Sequence, residues 1–178
     1  MELTMTTDSR TAQQSFASLL GQHQGIVLKL ARAWCADPEE RRDLIQEIST
    51  QAWRSFASFD ADKARFSTWL YRVALNVAIS QQRGRQLRQR HHVDAVPAQL
   101  EQLASTADTA ESNARLVQLQ AMVQSLPPMD RALLLLHLDD YSHAHIGEVL
   151  GISASNAATR LHRLRQQLRR RFEPTTQD

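Results

Sequence analysis

The side chains best equipped for chemistry in this chain are arginines, and they are clustered. Arg83, Arg85, Arg88 and Arg90 make one group; Arg160, Arg163, Arg165, Arg169, Arg170 and Arg171 make another. Formal net charge is only +2, so the distribution says more than the sum. Between the groups, Asp94 to Pro128 carries Asp94, Glu101, Asp108 and Glu111 against Arg115 alone. Two basic patches flanking an acidic, Ala/Gln/Ser/Thr-rich middle imply a polyanionic partner. The plainer alternative is that these arginines only solvate helix faces.

Residues suited to catalysis or metal binding do not assemble into a motif. His137, His143 and His145, and the pair His91-His92, are the candidates. Positions two apart on a helix point to different sides, so His143 and His145 cannot readily share an ion. No Gly-rich phosphate loop, nucleophile elbow or paired-carboxylate site stands out. The expectation is therefore no catalytic residue, no metal and no cofactor. Cys35 is the sole cysteine and cannot form an internal disulfide, which fits a reducing cytoplasm. The opening MELTMTTDSR lacks an apolar signal-peptide core, and the longest strongly apolar stretch, Ala132 to Leu136, is far too short for a bilayer. A cytoplasmic protein with no direct membrane insertion is expected.

Composition frames the elements that must carry the arginines. The 178 residues are 42% hydrophobic and 22% charged, with Gly and Pro at 5 each, which favours helices over a sandwich or barrel. From Phe16 to Trp34, one stripe contains Ile26, Val27, Leu30, Ala31 and Trp34. Asp37-Pro38-Glu39-Glu40 opens a second helix, with Asp37 as cap and Glu40 placed for a capping box. Its inward side is Leu44, Ile45, Ile48, Ala52 and Trp53, and its polar side is Asp43, Gln46, Glu47 and Gln51. Phe56 to Arg65 reads as a loop. Phe66-Ser67-Thr68 opens a third helix, with Ser67 as cap and Phe66 stapled to Tyr71. On it Leu70, Val73, Ala74 and Val77 face one way, while Thr68, Trp69, Arg72, Asn76 and Arg83 face the other. An aromatic, an amide and guanidinium groups on one stripe suit single-stranded nucleic acid. Alternatively, Trp69 and Tyr71 simply complete a small core.

The second half is more specific. Leu126-Pro127-Pro128 stops one helix and opens the leucine-rich Met129 to Leu138, which Asp139-Asp140-Tyr141 interrupts. Ser142 caps a short helix with Ile146, Val149 and Leu150 inward. Gly151-Ile152-Ser153 is a tight turn in which Gly151 takes the left-handed conformation and Ser153 caps the next helix. Ala157, Leu161, Leu164 and Leu168 recur on its buried side, leaving Ser155, Asn156, Thr159, Arg160 and Arg163 exposed. Small residues at Gly147 and Ala157 let the two helices approach closely. This is a helix-turn-helix with a basic recognition helix.

The succession of DLIQEISTQAWRSF, FSTWLYRVALNVAISQQRGR and LPPMDRALLLLHLDDYSHAHIGEVLGISASNAATRLHRLRQQLRRRF resembles the extracytoplasmic-function sigma factors, the smallest sigma-70-type proteins. The resemblance runs from about Phe16 to Phe172. It implies an all-α chain of two small helical domains joined by a flexible linker. The divisions expected are a flexible terminus over 1–15, region 2 over 16–90, a linker over 91–112, region 4 over 113–172 and a tail over 173–178. By resemblance, Asp43, Gln46, Glu47 and Gln51 dock on core RNA polymerase. Phe59, Arg65, Thr68, Trp69, Arg72, Asn76 and Arg83 take up the melted −10 promoter element, with Phe59 to Thr68 as the loop receiving a flipped base. Ser155, Asn156, Thr159, Arg160 and Arg163 read the −35 element as duplex. The partners implied are core polymerase, promoter DNA and an anti-sigma factor. The chain departs from the family's habit at Arg41 and Arg42, which stand where acidic residues are usual, and at His145 in place of Glu. Ala157 replaces Val, and Ala158 replaces a basic residue. An ordinary helix-turn-helix regulator, or a sigma mimic that sequesters an anti-sigma factor, are the alternatives.

Overall fold

The computed structural model describes residues 7–91 and 107–172. The first six residues, the tail over 173–178 and most of the expected linker, His92 included, lie outside them, as do the side chains of Arg88, Arg90, His91 and Arg171. All regular elements among the described residues are helical: α1 (Thr7–Trp34), α2 (Pro38–Ser55), a 3-10 turn (Phe56–Ser58), α3 (Phe66–His91), α4 (Ala107–Ser125), α5 (Pro128–Leu138), α6 (His143–Leu150) and α7 (Ala154–Phe172). They form two units, α1–α3 and α4–α7, as the expected all-α, two-domain class requires.

In the first unit, three helices pack mutually around Leu30, Ala31, Leu44, Ile48, Ala52, Leu70, Tyr71, Ala74 and Ala78, all essentially inaccessible to water. The entry to α2 is the expected one: the Glu40 amide donates to Asp37 Oδ1 at 2.9 Å, and Pro38 takes the first helical position. Glu40 does not close a capping box, because its carboxylate pairs with Arg85 of α3. Arg85 also donates to Cys35 Sγ at 3.4 Å and Gln81 Oε1 at 3.1 Å. It therefore ties α3 to the α1–α2 junction and does not stand with a solvent-facing basic patch.

Five further expectations are corrected. The terminus over 1–15 is helical from Thr7, and residues 10–15 are exposed, so no apolar rhythm betrays them. The third helix begins at Phe66, one residue before its expected cap Ser67, and the Trp69 amide donates to the Arg65 carbonyl at 3.1 Å. Phe66 is stapled not to Tyr71 but into an aromatic cluster, 5.2 Å from His23, 5.4 Å from Phe59 and 5.2 Å from Trp69. Trp53 is 41% exposed instead of inward. The buried arc of α3 is Leu70, Tyr71, Ala74, Leu75 and Ala78, with Val73 and Val77 only half-buried. Because α3 packs on α1 and α2 together, its core arc is rotated from the single stripe that a wheel predicts.

The second unit is assembled around Leu126, Ala132, Leu133, Leu136, Ile146, Ala157, Leu161 and Leu164. Within the leucine-rich α5, Arg131 is buried, and its guanidinium donates to the carbonyls of Gln124 and of Leu126, the latter at 2.9 Å. A cation there satisfies carbonyls that the end of α4 leaves without intrahelical partners, and its charge suits that end of the helix dipole. The chain leaves α5 through Asp140 at φ 58, a left-handed conformation that Asp tolerates better than most residues. Ser142 then accepts from the His145 amide at 3.3 Å and starts α6.

Gly151 ends α6 at φ 68, ψ 35, and Ser153 accepts from the Asn156 amide at 3.1 Å to start α7. Both assignments match expectation. Gly147 is buried where the helices meet, and a Cβ added there would stand 2.6 Å from the Ile152 carbonyl oxygen. Backbone cannot yield as a flexible side chain can, so Gly147→Ala should destabilise the second unit by about 1–3 kcal/mol. Trp34, Trp53 and Trp69, the complete tryptophan set, all lie in the first unit. The expected outcome is therefore an earlier helical-ellipticity transition in urea with an unchanged tryptophan-fluorescence transition.

A second tie joins α5 to α7, where Arg165 Nη2 donates to His137 Nε2 at 2.5 Å. Burial, then the charges of Arg165 and His143, push the His137 imidazolium below its ordinary 6.5, while Asp140 pulls the other way. The neutral ring is thus favoured in the folded state, and its contribution is present above pH 6.5 and lost as pH falls towards the lower folded value. Thermal unfolding followed by circular dichroism should show wild type losing stability between pH 7.5 and 5.5 more steeply than His137→Gln.

Candidate nucleic-acid interface

The helix-turn-helix fixes which side of α7 is available. Ala157, Leu161 and Leu164 are buried and Leu168 half-buried, so the opposite face projects outward from a braced support. All five expected duplex-reading residues, Ser155, Asn156, Thr159, Arg160 and Arg163, are exposed on it. Thr159 donates its hydroxyl to the Ser155 carbonyl at 2.9 Å. Arg160 Nε donates to Asn156 Oδ1 at 3.2 Å, and its Nη1 lies 3.8 Å from Asp130 Oδ1 of α5. The surface thus joins hydroxyl, amide and guanidinium groups over the first turns of a helix, a set that can contact base edges and phosphates in a major groove. Asp130 was not foreseen, since a wheel of α7 carries no information on which α5 residue lies beside it.

In the first unit, an aromatic cluster links the end of α2 to the start of α3. Phe56 is its centre. It lies 5.1 Å from Phe16, 6.5 Å from Trp53, 6.0 Å from Phe59, 6.4 Å from Phe66 and 6.2 Å from Trp69. Phe59 and Trp69 are 5.3 Å apart and both half-buried, so each keeps part of its ring accessible. The loop between them is held by Asp60, which accepts from the Asp62 amide at 3.0 Å and pairs with Lys63 at 2.8 Å. The Lys63 ammonium, aided by backbone donors, holds the Asp60 carboxyl below its usual 3.8. Phe56 and Phe16 were missed because the first falls in a stretch read as loop and the second precedes the apolar stripe of α1.

The expected single-strand face is only partly assembled. Arg65, Arg72, Asn76 and Arg83 are exposed, and Trp69 is half-buried. Thr68 is 6% exposed and belongs to the interior, a correction that follows from the rotated arc of α3. Tyr71 is wholly interior, so the core reading is right for Tyr71. On α2, Asp43, Gln46 and Glu47 are exposed and Gln51 is half-buried. Beside that strip an apolar groove of about 520 Å³ runs between α1 and α2, lined by Phe16, Leu20, Val27, Leu28, Ile45 and Trp53. Among the described residues no group of three or more His, Cys, Asp or Glu side chains could hold a metal, and no helix is long and apolar enough to cross a membrane.

Residues 19–88 match the model of sigma-70 region 2, and residues 116–168 match that of sigma-70 region 4. The chain is 31% identical over 171 residues to the ECF RNA polymerase sigma factor SigW of Bacillus subtilis, covering 90% of each protein. It is 30% identical over 168 residues to the ECF sigma factor SigE of Mycolicibacterium smegmatis, covering 92% of this chain and 63% of that longer one. Among solved structures it resembles CnrH in complex with the cytosolic domain of CnrY, at a TM-score of 0.66 and 21% identity, covering 92% of this chain and 91% of that one. It also resembles the sigma factor RpoE of Bartonella quintana in complex with the anti-sigma factor NepR, at a TM-score of 0.65 and 18% identity, over 90% and 99% of the two chains. The two matched regions, in this order and on this fold, make the chain a member of the sigma-70 family, within its extracytoplasmic-function sigma factors.

Proposed function

We propose that this sigma factor directs RNA polymerase to its promoters by dividing the work between its two units. Region 2, taken as 16–90, docks on core polymerase through Asp43, Gln46, Glu47 and Gln51 and the neighbouring groove, and receives the melted −10 strand at Phe59, Arg65, Trp69, Arg72, Asn76 and Arg83. Region 4, taken as 113–172, reads −35 duplex through Ser155, Asn156, Thr159, Arg160 and Arg163. Residues 91–112 serve as the linker between them. The observation that carries this reading is the exposed hydroxyl, amide and guanidinium surface of α7 on a capped helix-turn-helix.

The physical division of labour is sound. Arginine contacts to phosphate supply salt-dependent affinity, while a few groove-facing side chains supply sequence choice. Neither short surface is selective alone, and tethering raises the effective concentration of the second site once the first is engaged. A melted base is held where stacking on the accessible part of Phe59 or Trp69 offsets its unstacking cost. The same two units would be masked by an anti-sigma factor, as suits a chain whose fold resembles that of RpoE in its complex with NepR. The protein works in the cytoplasm as a specificity subunit with no catalytic activity of its own.

Two substitutions separate the roles. Arg163→Ala should weaken holoenzyme binding to −35 duplex by about 1–3 kcal/mol, the worth of a good bidentate base contact. Asn76→Ala should leave duplex binding nearly intact and reduce promoter opening, followed by permanganate reactivity of unpaired thymines. Unchanged transcription in both variants would overturn these residue assignments.

A further inference from the structure

Arg160 is braced from two sides. Its Nε donates to Asn156 Oδ1 at 3.2 Å, one turn back on α7, and its Nη1 lies 3.8 Å from Asp130 Oδ1 on α5. The Asp130 side chain is 27% exposed and that of Arg160 is 43%, so the pair sits at the rim of the reading surface and not in the core. An unrestrained arginine swings to whichever phosphate is nearest, which strengthens binding to any duplex. An arginine with partners on two helices is biased towards one orientation of its planar fork before DNA arrives, and preorganisation favours the target that matches that orientation. A carboxylate at the edge of a polyanion-binding surface also repels phosphate and so weakens contacts that lack a compensating base.

We propose that Asp130 is a positioning residue for promoter choice: it aims the Arg160 guanidinium and lowers affinity for duplex that lacks the correct −35 sequence. This rests on the reading that α7 contacts −35 duplex. Asp130 also occupies the first turn of α5, where a carboxylate favours the helix N-terminus. A role confined to that would change stability and leave the ratio of specific to non-specific binding in place.

The test uses full-length protein bound to core polymerase and two duplexes, a promoter fragment it transcribes and the same fragment with its −35 element scrambled. Asp130→Asn should lower the affinity ratio between them by roughly three- to tenfold, mainly by tighter binding to the scrambled fragment. Asp130→Glu should recover part of the ratio. In an Arg160→Ala background, Asp130→Asn should change the ratio much less, because only the direct repulsion of phosphate then remains. An unchanged ratio in Asp130→Asn overturns the proposal, with or without a fall in thermal midpoint, and so does an undiminished effect when Arg160 is absent. If Arg163→Ala lowers the ratio while Arg160→Ala does not, the proposal alone fails. If neither arginine affects it, the assignment of α7 as the duplex reader fails and takes the proposal with it.

Discussion

Where α6 meets the turn into α7, two stretches of backbone touch with no side chain between them. Gly147 is buried there because anything larger would meet the Ile152 carbonyl, and the Ile152 amide donates back to the Gly147 carbonyl at 3.0 Å. That contact fixes the angle at which α7 departs. Gly151 at positive φ makes the reversal sterically possible, and Ser153 satisfies an amide that the new helix would otherwise leave unpaired. Ala157, Leu161 and Leu164 then anchor α7 along its length. Every side chain on the exposed face of α7 inherits its position from this arrangement. About five degrees of play at the turn would displace Arg163, between two and three turns along, by about 1 Å, which is more than a hydrogen bond tolerates.

The first unit solves a different problem. Several of its aromatic rings stay accessible, although apolar rings left to themselves collapse inward. Phe56 lies against both Phe59 and Trp69, and the three half-buried rings rest on one another. Trp53, which also lies against Phe56, borders the α1–α2 groove. Arg85, with its partners Glu40, Cys35 and Gln81, holds the later part of α3 against the α1–α2 junction. The rings of the cluster thus support one another, and Phe56, Phe59 and Trp69 each stay partly accessible.

Local signals were legible in the sequence to the extent that their causes are local. The caps Asp37, Ser142 and Ser153, the Gly151 turn and the buried series on α7 from Ala157 to Leu164 each depend on neighbours within one or two turns, and each stands as expected. What the sequence hid depends on a second element. The face of α3 turned once two helices packed on it, which buried Thr68 and Leu75. Glu40 and Arg85 are 45 positions apart, and no periodicity links them. Asp130 beside Arg160 and Arg131 beneath the end of α4 depend in the same way on how helices are laid together. The exposed start of α1 escaped because a helix without a buried side has no apolar rhythm to detect. Of the candidate surfaces, the one on α7 was the more readable, since a single helix supplies all five of its expected residues and all five are exposed.

The most direct test of the account is reconstitution: the purified protein mixed with bacterial core RNA polymerase, resolved by gel filtration, and assayed for run-off transcription on sheared genomic DNA. Co-elution with core and new discrete transcripts, absent with core alone, are the predicted result. Failure to associate with active core, while the protein alone binds duplex DNA, would contradict the account and leave an ordinary helix-turn-helix regulator in its place.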